Sequence, residues 1–232
     1  MGKKMSDSLK QLKKMAFGFF GVSYFESYLH WSNRKKDIDF RFSYDNYKTM
    51  LFDYFSKEYE IDTFISTYKH QFINQLLNMY NPKNYFLANF PSQPRTKGFV
   101  DYSSKNAMMI KVLDLIVHYS HKYNITYDHV CLTRFDLIWI KKFEDCKNPI
   151  NYSAMNNMSI LEKPNIFDDN WFLFPYDFIN KLRSLLKEKI HHNTHQLFVH
   201  FLKHFGKINF LNSDFTKADR LSTFRIQNRW VK

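Results

Sequence analysis

Hydrophobic positions along the chain follow two periodicities, one typical of buried strands and the other typical of amphipathic helices. Short apolar runs predict strands over 13–22, 61–68 and 83–90, within 128–140 and 158–175, and over 208–215. Apolar residues spaced three and four positions apart predict helices over 45–59, 70–82, 102–124, 176–190 and 194–206. Predicted strands and helices therefore alternate along most of the sequence.

This alternating order is typical of an α/β domain with a mostly parallel central sheet flanked by helices. Residues 23–30 carry aromatic side chains at helical spacing, so we expect a helical segment there before a polar turn. No internal repeat and no long linker divides the chain. We predict a single domain over 15–212, a basic N-terminal extension over 1–14 and a basic C-terminal tail over 213–232.

The composition is that of a folded protein, since 44% of the residues are hydrophobic and 19% are aromatic. Two cysteines, Cys131 and Cys146, are too few for a disulfide framework, which favours a reducing compartment such as the cytoplasm. No apolar run reaches the roughly 18 residues that a membrane-spanning helix needs, so we expect no transmembrane segment.

The chain carries a net charge of +12, which favours an anionic partner: nucleic acid, a membrane surface or a phosphate-bearing substrate. The basic residues are scattered along the whole sequence and interleaved with acidic ones. Nucleic-acid-binding proteins more often cluster such residues in a stripe, so this distribution disfavours nucleic acid as the partner.

The segment "DHVCLTRFDLIW" places two charged residues, Arg134 and Asp136, between apolar blocks of a predicted strand. Strand alternation puts both charges on one face and Phe135 on the other. Ligands of open α/β sheets bind outside the carboxyl ends of the strands, so this pair is a candidate ligand contact. The alternative is a structural ion pair at the end of the sheet.

Four stretches resemble, in order, the motifs of GT-A-like glycosyltransferases of large DNA viruses and bacterial polysaccharide loci. "YDHVCLTRFDLIW" is similar to the family element "YD-x-V-x-R-x-R-x-D-L", and "FGFFGVSYFESYLHW" is similar to the N-terminal "F-G-x-x-R-x-F" strand and turn. "EIDTFISTYKHQFINQLLNMYNPKNYFL" and "IFDDNWFLFPYDFINKL" resemble two further blocks. The resemblance covers roughly residues 15–212 and implies a single GT-A-like, Rossmann-like domain.

The resemblance implies transfer of a sugar from a UDP- or GDP-linked nucleotide sugar to a glycan or protein-linked acceptor. It implies a donor site formed by Gly21, Ser66, Thr67, Arg134 and Asp136. In the family an Asp-x-Asp motif binds Mn²⁺ or Mg²⁺ against the diphosphate, and Asp136 is the residue that could take the metal here.

Several departures from the family pattern affect this expectation. Arg134 stands where the first carboxylate of Asp-x-Asp would be, Leu132 replaces an arginine, and no arginine follows Gly21. An arginine can contact a diphosphate directly through two parallel hydrogen bonds. Metal-independent transfer is therefore the alternative to a bound Mn²⁺ or Mg²⁺, and loss of activity is a further alternative.

Asp168 and Asp169 precede the apolar run Trp171–Phe174 and are candidates for the catalytic base. Inverting sugar transfer needs a carboxylate that accepts the proton of the acceptor hydroxyl. The alternative is that both are ordinary turn residues, a position that Asp favours.

The resemblance also implies a histidine on the acceptor side, for which His195 is the nearest match. The spacing of His191 with His195 and of His200 with His204 would suit zinc ligands on a helix, but no His-Glu-x-x-His motif accompanies it. A second class of function stays open at this point: a non-catalytic basic α/β module that binds nucleic acid or an anionic surface.

Overall fold

The computed structural model describes residues 12–29, 35–89, 103–145, 158–160, 171–190, 208–210 and 224–226. The strands are β1 Lys13–Phe20, β2 Tyr24–Leu29, β3 Lys35–Asp39, β4 Tyr59–Tyr68, β5 Asn84–Ala88, β6 His129–Arg134, β7 Leu137–Trp139, β8 Met158–Ile160, β9 Trp171–Pro175, β10 Ile208–Phe210 and β11 Phe224–Ile226. The helices are α1 Phe40–Tyr47, α2 Asp53–Phe55, α3 Ile73–Tyr80, α4 Ser103–Tyr123 and α5 Ile179–Glu188. A π-helical turn, Lys48–Phe52, joins α1 to α2, and short 3₁₀ turns cover Phe143–Asp145 and Tyr176–Phe178.

Seven strands form the main sheet in the order β10-β8-β9-β6-β1-β4-β5. Strands β1, β4, β5 and β6 run parallel to one another, and β8 and β10 share their direction because both are separated from β6 by the antiparallel strand β9. The prediction of an α/β domain with a mostly parallel sheet is confirmed.

Helices cover both faces of this sheet, and β1 lies at its centre. Ala16, Gly18 and Phe20 of β1 face α4 and α5, whereas Phe17 and Phe19 face α1 and α3. Burial on both faces explains why the sequence of β1 is almost continuously apolar instead of alternating with polar residues.

The expectation of a helical segment over 23–30 is wrong. Residues Tyr24–Leu29 form β2, which pairs antiparallel with β3 in a separate two-stranded sheet. The apolar positions of this segment have helical spacing, but six residues are too few for periodicity to decide, and aromatic residues favour strands. Pairing with β3, which sequence periodicity does not report, decides the conformation.

Other boundaries also differ from the sequence prediction, and the helix predicted over 45–59 is observed from Phe40 to Phe55. Helix α3 begins at Ile73, so His70 lies in the connection between β4 and α3 and not in the helix. The strand predicted within 128–140 is divided by a turn at Phe135 and Asp136. Strand β11 lies within the segment 213–232, and it pairs antiparallel with β7 directly after that turn.

Other sequence predictions concern residues outside the described part of the chain, namely the helix over 194–206 and Cys146. Among the helices of the described ranges, none combines the length and the apolar character required to cross a membrane.

Close packing of β1 against β6 and α4 gives a direct test of the fold. A Cβ added to Gly18 would lie 2.7 Å from Leu132 Cδ2 and 3.0 Å from Val112 Cγ2. We expect Gly18→Ala to lower the free energy of unfolding by about 1–3 kcal/mol, because the core must shift to admit the methyl group. Urea denaturation of the purified variant measures this change.

The control is the same substitution in a Leu132→Ala background, where the nearest clashing atom is gone. Gly18→Ala should then cost clearly less, so that the double-mutant cycle shows a favourable coupling. Equal costs in both backgrounds would contradict the contact between these two strands.

Candidate functional site

The carboxyl ends of β1, β4 and β6 lie side by side at one edge of the sheet. Phe20, the last residue of β1, pairs with Ser66 of β4 on one side and with Arg134 of β6 on the other. Three segments that are far apart in sequence therefore meet at the edge where α/β sheets bind ligands. The candidate donor residues predicted from the sequence, Gly21, Ser66, Thr67, Arg134 and Asp136, lie on or directly after these three strands.

Gly21 forms the turn that leaves β1 at this edge. Its φ angle is +96°, a conformation that non-glycine residues rarely adopt. Its N–H donates to the Ser66 carbonyl over 3.0 Å, and its own carbonyl accepts from Thr67 Oγ1 over 2.7 Å. A Cβ at this position would meet no atom of the described residues within 4 Å, so the turn borders open space in this part of the structure.

Ser66 and Thr67 point to opposite faces of the sheet. The Ser66 hydroxyl is fully buried and donates to Met108 Sδ of α4 over 3.2 Å. Thr67 is also fully buried, and its hydroxyl donates to the Gly21 carbonyl. Ser66 therefore contributes to this edge through its carbonyl, whereas Thr67 supports the glycine turn with its side chain.

Arg134 and Asp136 form a bidentate ion pair with each other. Nε of Arg134 donates to one carboxylate oxygen of Asp136 over 2.8 Å, and Nη2 donates to the other. The Asp136 side chain is only 3% exposed, whereas that of Arg134 is 27% exposed. The carboxylate is thus buried and orients the guanidinium, while part of the arginine side chain reaches the surface.

Helix α1 supports the turn that carries this pair. The Tyr47 hydroxyl donates to the Arg134 carbonyl, and the Ser43 hydroxyl donates to the Phe135 carbonyl. The Asn46 side chain forms two hydrogen bonds with the backbone of Trp139, of 2.8 and 2.7 Å. Burial raises the pKa of Tyr47 well above its usual value, so its hydroxyl stays protonated and serves as a donor.

A second group of polar residues at this edge was missed by the sequence analysis. Ser23 Oγ lies 2.7 Å from Thr67 Oγ1 and 3.0 Å from Nε2 of His70. Ser23 follows Gly21 by two residues and His70 follows the end of β4 by two residues. A search for polar residues just after each predicted strand end would have found both.

Asp39 and Arg41 lie beside this group, at the start of α1. The Asp39 carboxylate accepts from the backbone N–H and from the guanidinium of Arg41. Burial raises the pKa of Asp39, but the hydrogen bonds and the charge of Arg41 outweigh it and lower the pKa below the usual value. The carboxylate therefore caps the helix in its ionised form.

The candidate base residues Asp168 and Asp169 and the acceptor-side candidate His195 lie outside the described residues, as do His191, His192, His200 and His204. The described strand that follows the two aspartates, β9, begins at Trp171, which pairs with Thr133 near the end of β6. Because β9 is antiparallel, its first residue lies at the same edge as Gly21 and Arg134.

The described residues do not fit a divalent metal at Asp136. Both of its carboxylate oxygens accept hydrogen bonds from the Arg134 guanidinium, whose positive charge would repel Mn²⁺ or Mg²⁺ at the same oxygens. Within the described ranges, no three His, Cys, Asp or Glu side chains come together as a metal-binding group.

No protein-family model matches the chain, and no curated protein matches it. Among solved structures, it is similar to a glycosyltransferase involved in glycosylation of the major capsid of PBCV-1, with 8% identity over 95% of both chains and a TM-score of 0.43. It is also similar to a Drosophila β-1,4-galactosyltransferase 7 mutant crystallised with manganese, UDP-Gal and xylobiose, with 11% identity over 92% of this chain and 70% of that one and a TM-score of 0.43.

A cytidylyltransferase from Leptospira borgpetersenii is similar as well, with 12% identity over 87% of this chain and 77% of that one and a TM-score of 0.45. At such low identities and TM-scores, these likenesses concern the arrangement of strands and helices and assign no activity.

Removal of the Tyr47 hydroxyl tests the support that α1 provides to the site. We expect Tyr47→Phe to lower the free energy of unfolding by about 1–2 kcal/mol, because the Arg134 carbonyl loses its buried donor. Thermal or urea denaturation measures the loss.

The matched control is Tyr44→Phe, one turn earlier on the same helix, where the ring packs against Tyr80. We expect this variant to stay within about 0.5 kcal/mol of the parent protein. Equal losses in the two variants would mean that the Tyr47 hydroxyl does not support the turn.

Proposed function

We propose that the protein is a glycosyltransferase that moves a sugar from a UDP- or GDP-linked nucleotide sugar to a glycan or protein-linked acceptor. The observation that carries this proposal is that Gly21, Thr67 and Arg134 lie together at one edge of the sheet. The motif resemblance implies a donor site that includes these same residues. Among the described residues, the open space beside Gly21 and the part-exposed side chain of Arg134 support room there for a diphosphate.

Arg134 has the principal role toward the donor in this proposal. When the bond between the sugar's anomeric carbon and the diphosphate oxygen breaks, negative charge develops on the leaving diphosphate. A guanidinium that a buried carboxylate already orients stabilises this charge with little rearrangement. Asp136 is then a positioning residue, and the reaction proceeds without a metal ion.

The acceptor hydroxyl must lose its proton as its oxygen bonds to the anomeric carbon. We propose Asp169 or Asp168 as the carboxylate that takes this proton, and His195 as a contact of the acceptor. The support for the aspartates is their position in sequence, since Trp171 follows Asp169 by two residues and begins β9 at the edge that carries Arg134.

Binding of a nucleotide sugar tests the donor site. We expect calorimetry to show that UDP, GDP or one of their sugar derivatives binds at millimolar concentration or below, and that a single-stranded oligonucleotide does not compete. Arg134→Ala should weaken this affinity by roughly ten- to a hundredfold, the loss expected of a charged hydrogen-bond partner.

The matched control is Arg183→Ala. Arg183 is similarly exposed, at 23%, and forms an ion pair with Asp114 between α5 and α4. It should change stability and leave nucleotide affinity intact. An equal loss of nucleotide affinity in both variants, or no binding of any nucleotide, would contradict the proposal. Binding that needs Mn²⁺ or Mg²⁺ and is abolished by EDTA would contradict metal-independent binding.

The pH dependence of transfer tests the proposed base. A carboxylate base with a raised pKa gives a rate that falls as the pH drops through that pKa, whereas a turn residue gives no such fall. We expect Asp169→Asn and Asp168→Asn, made separately, to differ sharply in turnover at equal stability, because one carboxylate takes the proton and the other orients. If both variants keep the parent turnover, the base lies elsewhere.

A further inference from the structure

The ring of His70 is held in one tautomer by its neighbours. Nδ1 accepts a hydrogen bond of 3.2 Å from the backbone N–H of Phe72, so Nδ1 carries no proton. Nε2, 3.0 Å from Ser23 Oγ, must then carry the proton of the neutral ring and donate it to that hydroxyl.

The tautomer of His70 agrees with the direction of every hydrogen bond between the ring and the glycine turn, where the Gly21 carbonyl can only accept. Ser23 Oγ accepts from His70, so its own hydrogen goes to Thr67 Oγ1, 2.7 Å away. Thr67 in turn donates its hydrogen to the carbonyl of Gly21 over 2.7 Å. A single directed chain, defined here as the His70 relay, thus joins Phe72 to the Gly21 carbonyl through His70, Ser23 and Thr67.

The surroundings of the ring favour its neutral form. His70 is partly buried, with its ring centroid 5.4 Å from that of Tyr24 and 5.8 Å from that of Phe40. Burial lowers the pKa of His70 below its usual value, and the nearby charge of Asp39 opposes this effect in part.

Other charged groups near the ring, within the described part of the chain, belong to three elements. Asp39 at the end of β3 is ion-paired with Arg41 of α1, whose guanidinium lies 4.6 Å from the ring centroid of Phe72. Lys69 precedes His70 and is exposed. The Asp39 carboxylate is thus already matched by Arg41.

We propose that His70 is a positioning residue for the sugar-donor site, and that protonation of its ring releases the Gly21 turn and weakens donor binding. The proposal rests on the proposed function, because it takes the open edge at Gly21 as the donor site.

The consequence follows from the donor and acceptor pattern of the relay. A doubly protonated ring would direct an Nδ1–H at the N–H of Phe72, so two donors would face each other and the hydrogen bond would be lost. The ring or the 69–72 segment must then move, and this movement draws the Nε2–H of His70 away from Ser23 Oγ, although Nε2 itself keeps its proton. Ser23 loses a packing and hydrogen-bond partner, so the Thr67 hydroxyl that donates to the Gly21 carbonyl is held less firmly.

The structure should lose stability as the pH falls. The pKa of His70 is lower in the folded protein than in the unfolded chain, so the unfolded chain takes up the proton first as the pH falls. The stabilisation is fully present above the unfolded-state pKa, near 6.5, and is lost as the pH falls through the folded-state pKa. We expect donor affinity to fall in the same direction.

Binding of UDP-glucose between about pH 5 and pH 8 provides the test, because its diphosphate has no group that titrates in this range. We expect the affinity of the parent protein to fall about tenfold as the pH drops through the pKa of His70, the loss expected for one hydrogen bond. His70→Gln, which keeps a donor toward Ser23, should bind with little dependence on pH. His118→Gln, an exposed histidine of α4, is the control and should behave like the parent.

Nitrogen NMR gives a readout that does not depend on the donor. At high pH we expect Nδ1 of His70 to be unprotonated and Nε2 protonated, and the amide of Gly21 to shift with the pKa of His70. Ser23→Ala interrupts the relay, so in this variant the Gly21 amide should no longer follow the titration of His70.

The two readouts separate the inference from the proposed function. If the Gly21 amide follows His70 but UDP-glucose and GDP-linked sugars do not bind at any pH, the proposed function fails and the positioning of the turn by His70 stands. If the Gly21 amide ignores the titration of His70, or if His70→Gln keeps the pH dependence of the parent protein, the inference is overturned.

Discussion

Burial of β1 on both faces is the constraint on which the rest of the structure depends. All six residues from Met15 to Phe20 are buried, so helices must cover both sides of the strand. Both neighbours of β1 run parallel to it, and parallel neighbours need long crossover connections, which here carry the helices. Because the strands are parallel, their carboxyl ends meet at one edge, and this is why Gly21, Thr67 and Arg134 become neighbours.

The polar groups around Gly21 and Arg134 at this edge form hydrogen bonds with one another. A buried carboxylate without a partner would cost several kcal/mol, and Asp136 avoids this cost through its bidentate pair with Arg134. The carbonyls of Arg134 and Phe135 accept from hydroxyls of α1, and the carbonyl of Gly21 accepts from Thr67. The edge is therefore held in one geometry by the protein itself, as a binding or catalytic site requires.

The sequence left two interpretations of Arg134 and Asp136 open, a ligand contact and a structural ion pair, and the structure is compatible with both. Arg134 and Asp136 do form an ion pair, which was the structural alternative. The side chain of the arginine is 27% exposed and that of the aspartate is 3% exposed, so only the arginine can be reached from solvent to any extent. The carboxylate orients the guanidinium, so a structural pair and a ligand contact are compatible roles for the same two residues.

Hydrophobic periodicity alone was sufficient to predict most strands and helices of the main sheet and its flanking layers. Strands β1, β4 and β5 and helix α4 were predicted close to their observed bounds, because the hydrophobic pattern of each reflects its burial. Alternation of strands and helices was likewise enough to predict the mostly parallel sheet. The convergence of three strand ends followed from this order, since parallel strands share an edge.

Only the tertiary structure determined the conformation, burial and hydrogen bonds of residues whose environment depends on a segment distant in sequence. The strand conformation of Tyr24–Leu29 depends on pairing with β3, and the burial of the Ser66 hydroxyl against Met108 depends on the docking of α4. The role of His70 depends on contacts with Ser23 and Phe72, and its sequence neighbours predicted a helix instead. Local sequence reports which side chains prefer burial, whereas hydrogen-bond partners are set by segments that only folding brings together.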